Sequence, residues 1–223
     1  MKTIELKVYS FAELSDKAKE KARDWWRQSS MDDDWWDCTF EDFAQICKIL
    51  GIEIGERTQH CVLTGPKPRE WDRTEKKIYF TGFSSQGDGA CFEGRYSYAK
   101  GCAKAIRAYA PKDIQLHRIA DALAEIQKVH HYRLAADIKH VGQYYHYNSV
   151  SVEVEEIDAQ GNNQLDDKKA EEAIDTAMRD LCKWLYRTLE KEYEWRNADE
   201  QVDENIIAYE YDFTEDGKRT VAI

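Results

Sequence analysis

One segment limits the possible folds of this chain more than any other. From Asp166 toward Trp195 runs a helix pattern of up to about eight turns, with Ala170, Ile174, Ala177, Leu181, Trp184 and Thr188 along one seam. Met178, Cys182, Leu185 and Leu189 widen that seam. A stripe this broad is too apolar for a rod standing in water, so it predicts a helix laid against a sheet. The candidate strands lie upstream. "YRLAADIK" (132 to 139) and "YHYNSVSVEVEEI" (145 to 157) are strand-like, and the second alternates Val150, Val152 and Val154 with Ser151, Glu153 and Glu155. Such alternation means one buried and one wet face.

The remaining elements follow from period and caps. "TIELKVY" (3 to 9) reads as an opening strand, and Ser10 with Glu13 has the spacing of a capping box. Phe11, Leu14, Ala18, Ala22 and Trp25 then recur at helical steps in a helix ending near residue 29. Thr39 is placed to cap a second helix, with Phe40, Phe43, Ala44, Cys47 and Leu50 on one face and Gly51 as its stop. Residues 55 to 76 hold two of the three prolines and little periodicity, which predicts a long loop. Short and longer helices are expected near 98 to 109 and after Pro111, the longer carrying Leu116, Ile119, Ala120, Leu123 and Ile126. The end of the chain, "NIIAYEYDFTEDGKRTVAI", reads as a hairpin about Asp216 and Gly217.

Together these patterns predict an α+β fold: a mainly antiparallel sheet covered by helices, with a long C-terminal helix and a terminal hairpin. The expected organisation is a sheet domain over residues 1–157, with the long helix and hairpin of residues 158–223 packed on the same core. The six cysteines include no Cys-x-x-Cys pair, and a chain of 223 residues needs no disulfides to fold. They are read as reduced thiols in a cytoplasm. The six histidines have no metal-site spacing, so neither a metal nor a cofactor is expected. The start lacks a leader pattern and no window approaches 18 apolar residues, which predicts no membrane segment.

Two stretches carry candidate chemistry. In "IYFTGFSSQGDGACFEGRYSY" (78 to 98) two strand-like halves flank a turn longer than a hairpin needs, since Asp88-Gly89 alone supplies a tight type I′ turn. If the next two helices run antiparallel, they return the chain so that the turn after the following strand lies at the same edge. Ser84, Ser85, Gln86 and Asp88 then meet His140, Tyr144, Tyr145 and His146. Such a rim suits a polar or planar ligand, with the N–H groups of Gly87 and Gly89 offered to an anion. The same residues also fit an inert turn. A catalytic version uses Cys91 or Ser85 as nucleophile with His140 and Asp88, because a thiol or hydroxyl needs a neighbouring base. The spacing does not enforce that geometry.

Charge supplies the second candidate. The net charge of -11 is uneven: "MDDDWWDCTFED" (31 to 42) holds six carboxylates and no cation, and residues 190 to 216 hold eleven against Lys191 and Arg196. Such faces repel nucleic acid, whose affinity comes mainly from cations on phosphates, and attract a basic protein. Asp32, Asp33, Asp34 and Asp37 enclose Trp35 and Trp36, acids coupled to large aromatics that could anchor an interface. Solvated faces that keep a protein soluble are the alternative.

"YSFAELSDKAKEKARDWWR", "IYFTGFSSQGDGACFEGRYSYAKG" and "IKHVGQYYHYNSVSVEVE" resemble a family of small bacteriophage- and prophage-encoded accessory proteins often described as antitoxin-like. The resemblance covers roughly residues 1 to 155. It implies a setting, the bacterial host cytoplasm, and roles such as toxin neutralisation or counter-defence, including anti-CRISPR activity. It supplies no catalytic residues. The function expected is capture of a basic bacterial protein or nucleoprotein complex, without direct nucleic-acid binding. The alternative is a small-molecule or nucleotide-binding protein, or hydrolase, at the double-hairpin edge.

Overall fold

The computed structural model describes residues 7–29, 34–65, 67–157 and 165–220. The α+β class is as expected, with antiparallel sheets and a long C-terminal helix. The chain groups into two compact units, residues 38–188 and residues 1–37 with 189–223.

In the unit of residues 38–188, helix α2 (Asp37–Leu50; α1 belongs to the other unit) buries Phe43, Ile46, Cys47 and Leu50. It starts two residues before the expected cap, so Thr39 is a buried residue of its first turn. Gly51 ends it at φ 87°, a conformation that favours glycine. Strand β2 (Ile52–Ile54) follows. Strands β3 (Glu56–Leu63) and β4 (Arg69–Lys76) then pair antiparallel as a separate two-stranded ribbon where a loop was expected. The cause of the difference is plain: the ribbon buries no face, so its strands lack the apolar alternation that marks a half-buried strand. Cross-strand pairs such as Arg57 with Glu75 and His60 with Asp72 line it instead.

Strands β5 (Ile78–Phe80) and β6 (Ala90–Phe92) form the expected hairpin, but its second half is not one strand. The chain changes partner at Glu93, and β7 (Gly94–Ser97) enters the main sheet. Helices α3 (Cys102–Tyr109) and α4 (Ile114–Val129) lead to β8 (Leu134–His140) and β9 (Val150–Glu156). The sheet is ordered β2-β7-β8-β9 and is antiparallel throughout. Asp113 caps α4 by accepting from the Leu116 N–H at 2.9 Å, and its other oxygen accepts from the Trp184 indole at 2.6 Å. Fully buried Gln127 imitates a strand neighbour: its amide donates to the Leu134 carbonyl at 2.7 Å and accepts from the Leu134 N–H at 3.2 Å. Helix α5 (Lys168–Asn197) confirms the long helix, with Ile174, Met178, Leu181, Cys182 and Leu185 buried.

In the other unit, β1 (Tyr9–Ser10) pairs with β10 (Asp212–Phe213). The Glu13 carboxylate accepts from the Ser10 N–H at 2.8 Å as the capping-box spacing implies, although the turn it closes is 3-10. Helix α1 (Asp16–Ser29) starts just after it. Helix α6 (Asp199–Ala208) includes Asn205–Ala208, which sequence placed in the terminal hairpin. The turn about Gly217 remains, its N–H donating to the Thr214 carbonyl at 2.9 Å. The core joins Phe11, Leu14, Ala18 and Ala22 to Val202, Ile206 and Phe213, with Trp25 edge-on to Tyr211. The expected strand over 3 to 9 lies largely outside the described residues.

Candidate functional site

The two turns expected to share an edge do meet. Gly89 lies against the second turn so closely that a Cβ there would sit 2.7 Å from His146 Cδ2 and 3.0 Å from the Tyr145 carbonyl oxygen. At Gly87 it would touch Tyr144 at 3.8 Å. Below them Tyr79 and Tyr145 stack with centroids 4.8 Å apart and planes 11° apart, and His140 packs on Tyr145 at 5.0 Å. The Arg57 guanidinium covers Tyr79 at 5.4 Å, a cation–π contact from β3.

The length of the 81–89 turn has a structural reason. The Asp88 carboxylate accepts from the Ser84 and Ser85 N–H groups at 2.9 and 2.7 Å, which fixes a loop too wide for a two-residue turn. Asp88 is thereby occupied as a turn organiser. The Gly89 N–H donates to Thr81 Oγ1 at 3.1 Å and is not offered to an anion, contrary to the sequence expectation. Ser84, Ser85, Gln86 and Tyr144 are exposed at the rim, and the His140 ring is bound to the Tyr144 carbonyl at 3.1 Å.

Helix α5 holds both turns, which sequence reasoning missed. The Tyr186 hydroxyl donates to the Gly82 carbonyl at 3.2 Å. Arg179, oriented by Asp175, donates to the carbonyls of Tyr147 and Val150 at 2.6 and 2.9 Å, and Lys183 lies 4.8 Å from the Tyr147 ring centroid. The signal was present as Arg179, Lys183 and Tyr186 beside the buried stripe, but nothing local names carbonyls about thirty or a hundred residues away as their partners.

The surroundings of Cys91 disfavour its thiolate. The residue is fully buried, and burial first, with Glu93 adding to it, pushes its thiol up to about 12. Burial also holds His146 below the usual imidazole value. The folded state therefore holds that ring neutral to lower pH than the unfolded chain, which binds a proton near pH 6.5. Its contribution is complete above about pH 6.5 and is lost as pH falls through the window down to the folded value. His146→Asn is expected to flatten this acid-side slope in denaturation midpoints measured at a series of pH values, and an unchanged slope would contradict the assignment.

The acidic candidates divide. The Asp34 carbonyl accepts from the Asp37 N–H at 3.0 Å, forming the turn that opens α2. Trp35 and Trp36 lie edge to face at 5.7 Å, both half-buried, and Trp35 also packs on Tyr193 at 5.8 Å. Asp34 and Asp37 are exposed beside them, Asp37 at the helix N-terminus where its charge is favoured. Asp32 and Asp33 lie outside the described residues. Part of the C-terminal acidic run is used internally: Asp203 takes a bidentate bond from Arg23, both contacts 2.7 Å, and Asp199 accepts from Arg27 at 2.6 Å. That segment is therefore less of a free acidic face than its composition suggests.

Among the described residues no group of three or more His, Cys, Asp or Glu side chains is placed to hold a metal ion, and no helix is long and apolar enough to cross a membrane. The fold and site define an α+β chain in which two surface turns of one compact unit meet and residues 34–37 of the other form an acidic–aromatic turn. Residues 35–199 match the family described as Domain of unknown function (DUF8835), and the chain belongs to that family. No curated protein and no solved structure matches it.

Proposed function

We propose that the chain is a non-enzymatic accessory protein of a bacteriophage or prophage that binds and neutralises a basic bacterial partner in the host cytoplasm. The partner is a protein or nucleoprotein complex, and the role is counter-defence of the anti-CRISPR kind or toxin neutralisation. The observation that carries this reading is the turn at 34–37, where two half-buried tryptophans stand between exposed carboxylates. Tryptophan is enriched among interface anchors, which a polar rim surrounds. The candidate catalytic groups give less support to chemistry, since Cys91 is buried where its thiolate is disfavoured and Asp88 is bound within its own turn. Reversing Asp32, Asp33 and Asp34 to Lys is expected to weaken partner binding at least about tenfold at low salt. Wild-type binding should fall as salt rises, because exposed charges are screened within about 8 to 10 Å. Isothermal titration with the captured partner checks both, and binding indifferent to the reversals and to salt would overturn the acidic-face reading.

A second reading, a small-molecule or nucleotide site at the hairpin edge, is favoured by the meeting of the two turns and the exposed Ser84, Ser85, Gln86 and Tyr144 around them. It requires that His140→Ala abolish function while leaving the fold intact.

A further inference from the structure

Helices α4 and α5 border an open groove of about 810 Å³ that neither candidate site includes. Its α4 wall is Gln115, Arg118, Ile119 and Ala122, at helical steps of three, one and three. Its α5 wall repeats the same period from Lys169 through Ala173 and Thr176 to Arg187, a run of roughly 27 Å at 1.5 Å per residue. Ala122 and Thr176 are small and exposed in the groove, and Ile114 is 64% exposed at its end. Small side chains along two neighbouring helices allow a third helix to approach closely. The length favours a chain segment over a compact metabolite.

The charge of the walls identifies the segment. Arg118, Lys169 and Arg187 line the groove against Glu172, beside Lys183 and Asp180, on a chain whose net charge is -11. The Asp180 carboxylate already accepts from Lys183 at 2.9 Å. Gln115 joins the helices at one end, donating to the Asp180 carbonyl and accepting from Arg187, both at 3.3 Å. Arg118 stands on the α4 wall and Lys169 on the α5 wall. We propose that this groove receives an acidic amphipathic helix of a partner protein. The small apolar residues of that helix rest on Ala122 and Thr176, and its carboxylates meet Arg118 and Lys169. This is the helix-in-groove mode of recognition, read from both walls as i, i+3, i+4, i+7 stripes.

The test uses the full chain and a fluorescein-labelled peptide of about 18 residues, with Ala and Leu at the i, i+3, i+4, i+7 positions and Glu elsewhere. A scrambled peptide of equal composition and a single-stranded oligonucleotide of similar charge are its controls. Fluorescence anisotropy should show saturable binding of the amphipathic peptide alone. Arg118→Glu with Lys169→Glu should weaken it at least about fivefold, and Ala122→Trp with Thr176→Trp, which fills the groove, should abolish it. Circular dichroism and thermal melts check that each variant is folded. Absence of binding up to about 1 mM peptide, equal binding of the scrambled peptide or oligonucleotide, or indifference to the groove-filling pair would overturn the proposal.

Discussion

Phe43→Ala is expected to lower stability by about 3–5 kcal/mol, the usual range for truncating a fully buried phenylalanine. The ring has no solvent exposure, stands edge-on to Phe92 of β6 at 5.3 Å and lies almost parallel to Trp184 of α5 at 6.3 Å. Three elements therefore meet on one side chain. Removing it forfeits their contacts and leaves a cavity that the flanking rings cannot close without moving. Phe43→Leu keeps most of the volume and should cost about 1.5 kcal/mol or less. Urea denaturation of both variants checks the pair, and equal midpoints would show that Phe43 does not join these elements.

The second large effect belongs to Gly89. Gly89→Ala places a Cβ 2.9 Å from the Cα of His146 and 3.0 Å from the carbonyl oxygen of Tyr145, so the 140–149 segment must move as a backbone and not merely change a rotamer. Overpacking of this kind typically destabilises by about 1–3 kcal/mol. The turns should part together, seen as coupled NMR shift changes at residues 84–89 and 144–149 with loss of the Tyr79–Tyr145 ring-current shifts. Gly65→Ala is the control. A Cβ there meets nothing within 4 Å, and its effect should stay within about 0.5 kcal/mol.

The meeting of these turns was legible in the sequence because it follows from connectivity. Strand, turn, strand and two returning helices place the next turn at the same edge, and helical stripes such as Leu116, Ile119, Ala120 and Leu123 identify the helices. What was not legible lacks local periodicity. Strands β3 and β4 bury neither face, so their Thr58, Thr74, Arg57 and Glu75 read as loop composition until the ladder pairs them. Asn205–Ala208 carry an apolar run as suited to a strand as to a helix, and packing of Val202 and Ile206 on α1 selects the helix. Asp199 and Asp203 count as surface charge in a composition, but Arg23 and Arg27, more than 170 residues away, neutralise them. For the candidate site, sequence supplied the rim residues and structure supplied their duties, with Asp88 and Gly89 serving the turn itself.

The most direct test of partner capture by the acidic–aromatic turn is hydrogen–deuterium exchange of the chain alone and in complex with its captured basic partner. Slowed exchange on binding over residues 34–37 and the first turn of α2, lost again in high salt, is the predicted result. Protection confined to residues 84–90 and 140–146, with 34–37 unchanged, would contradict the claim and move the binding surface to the hairpin edge.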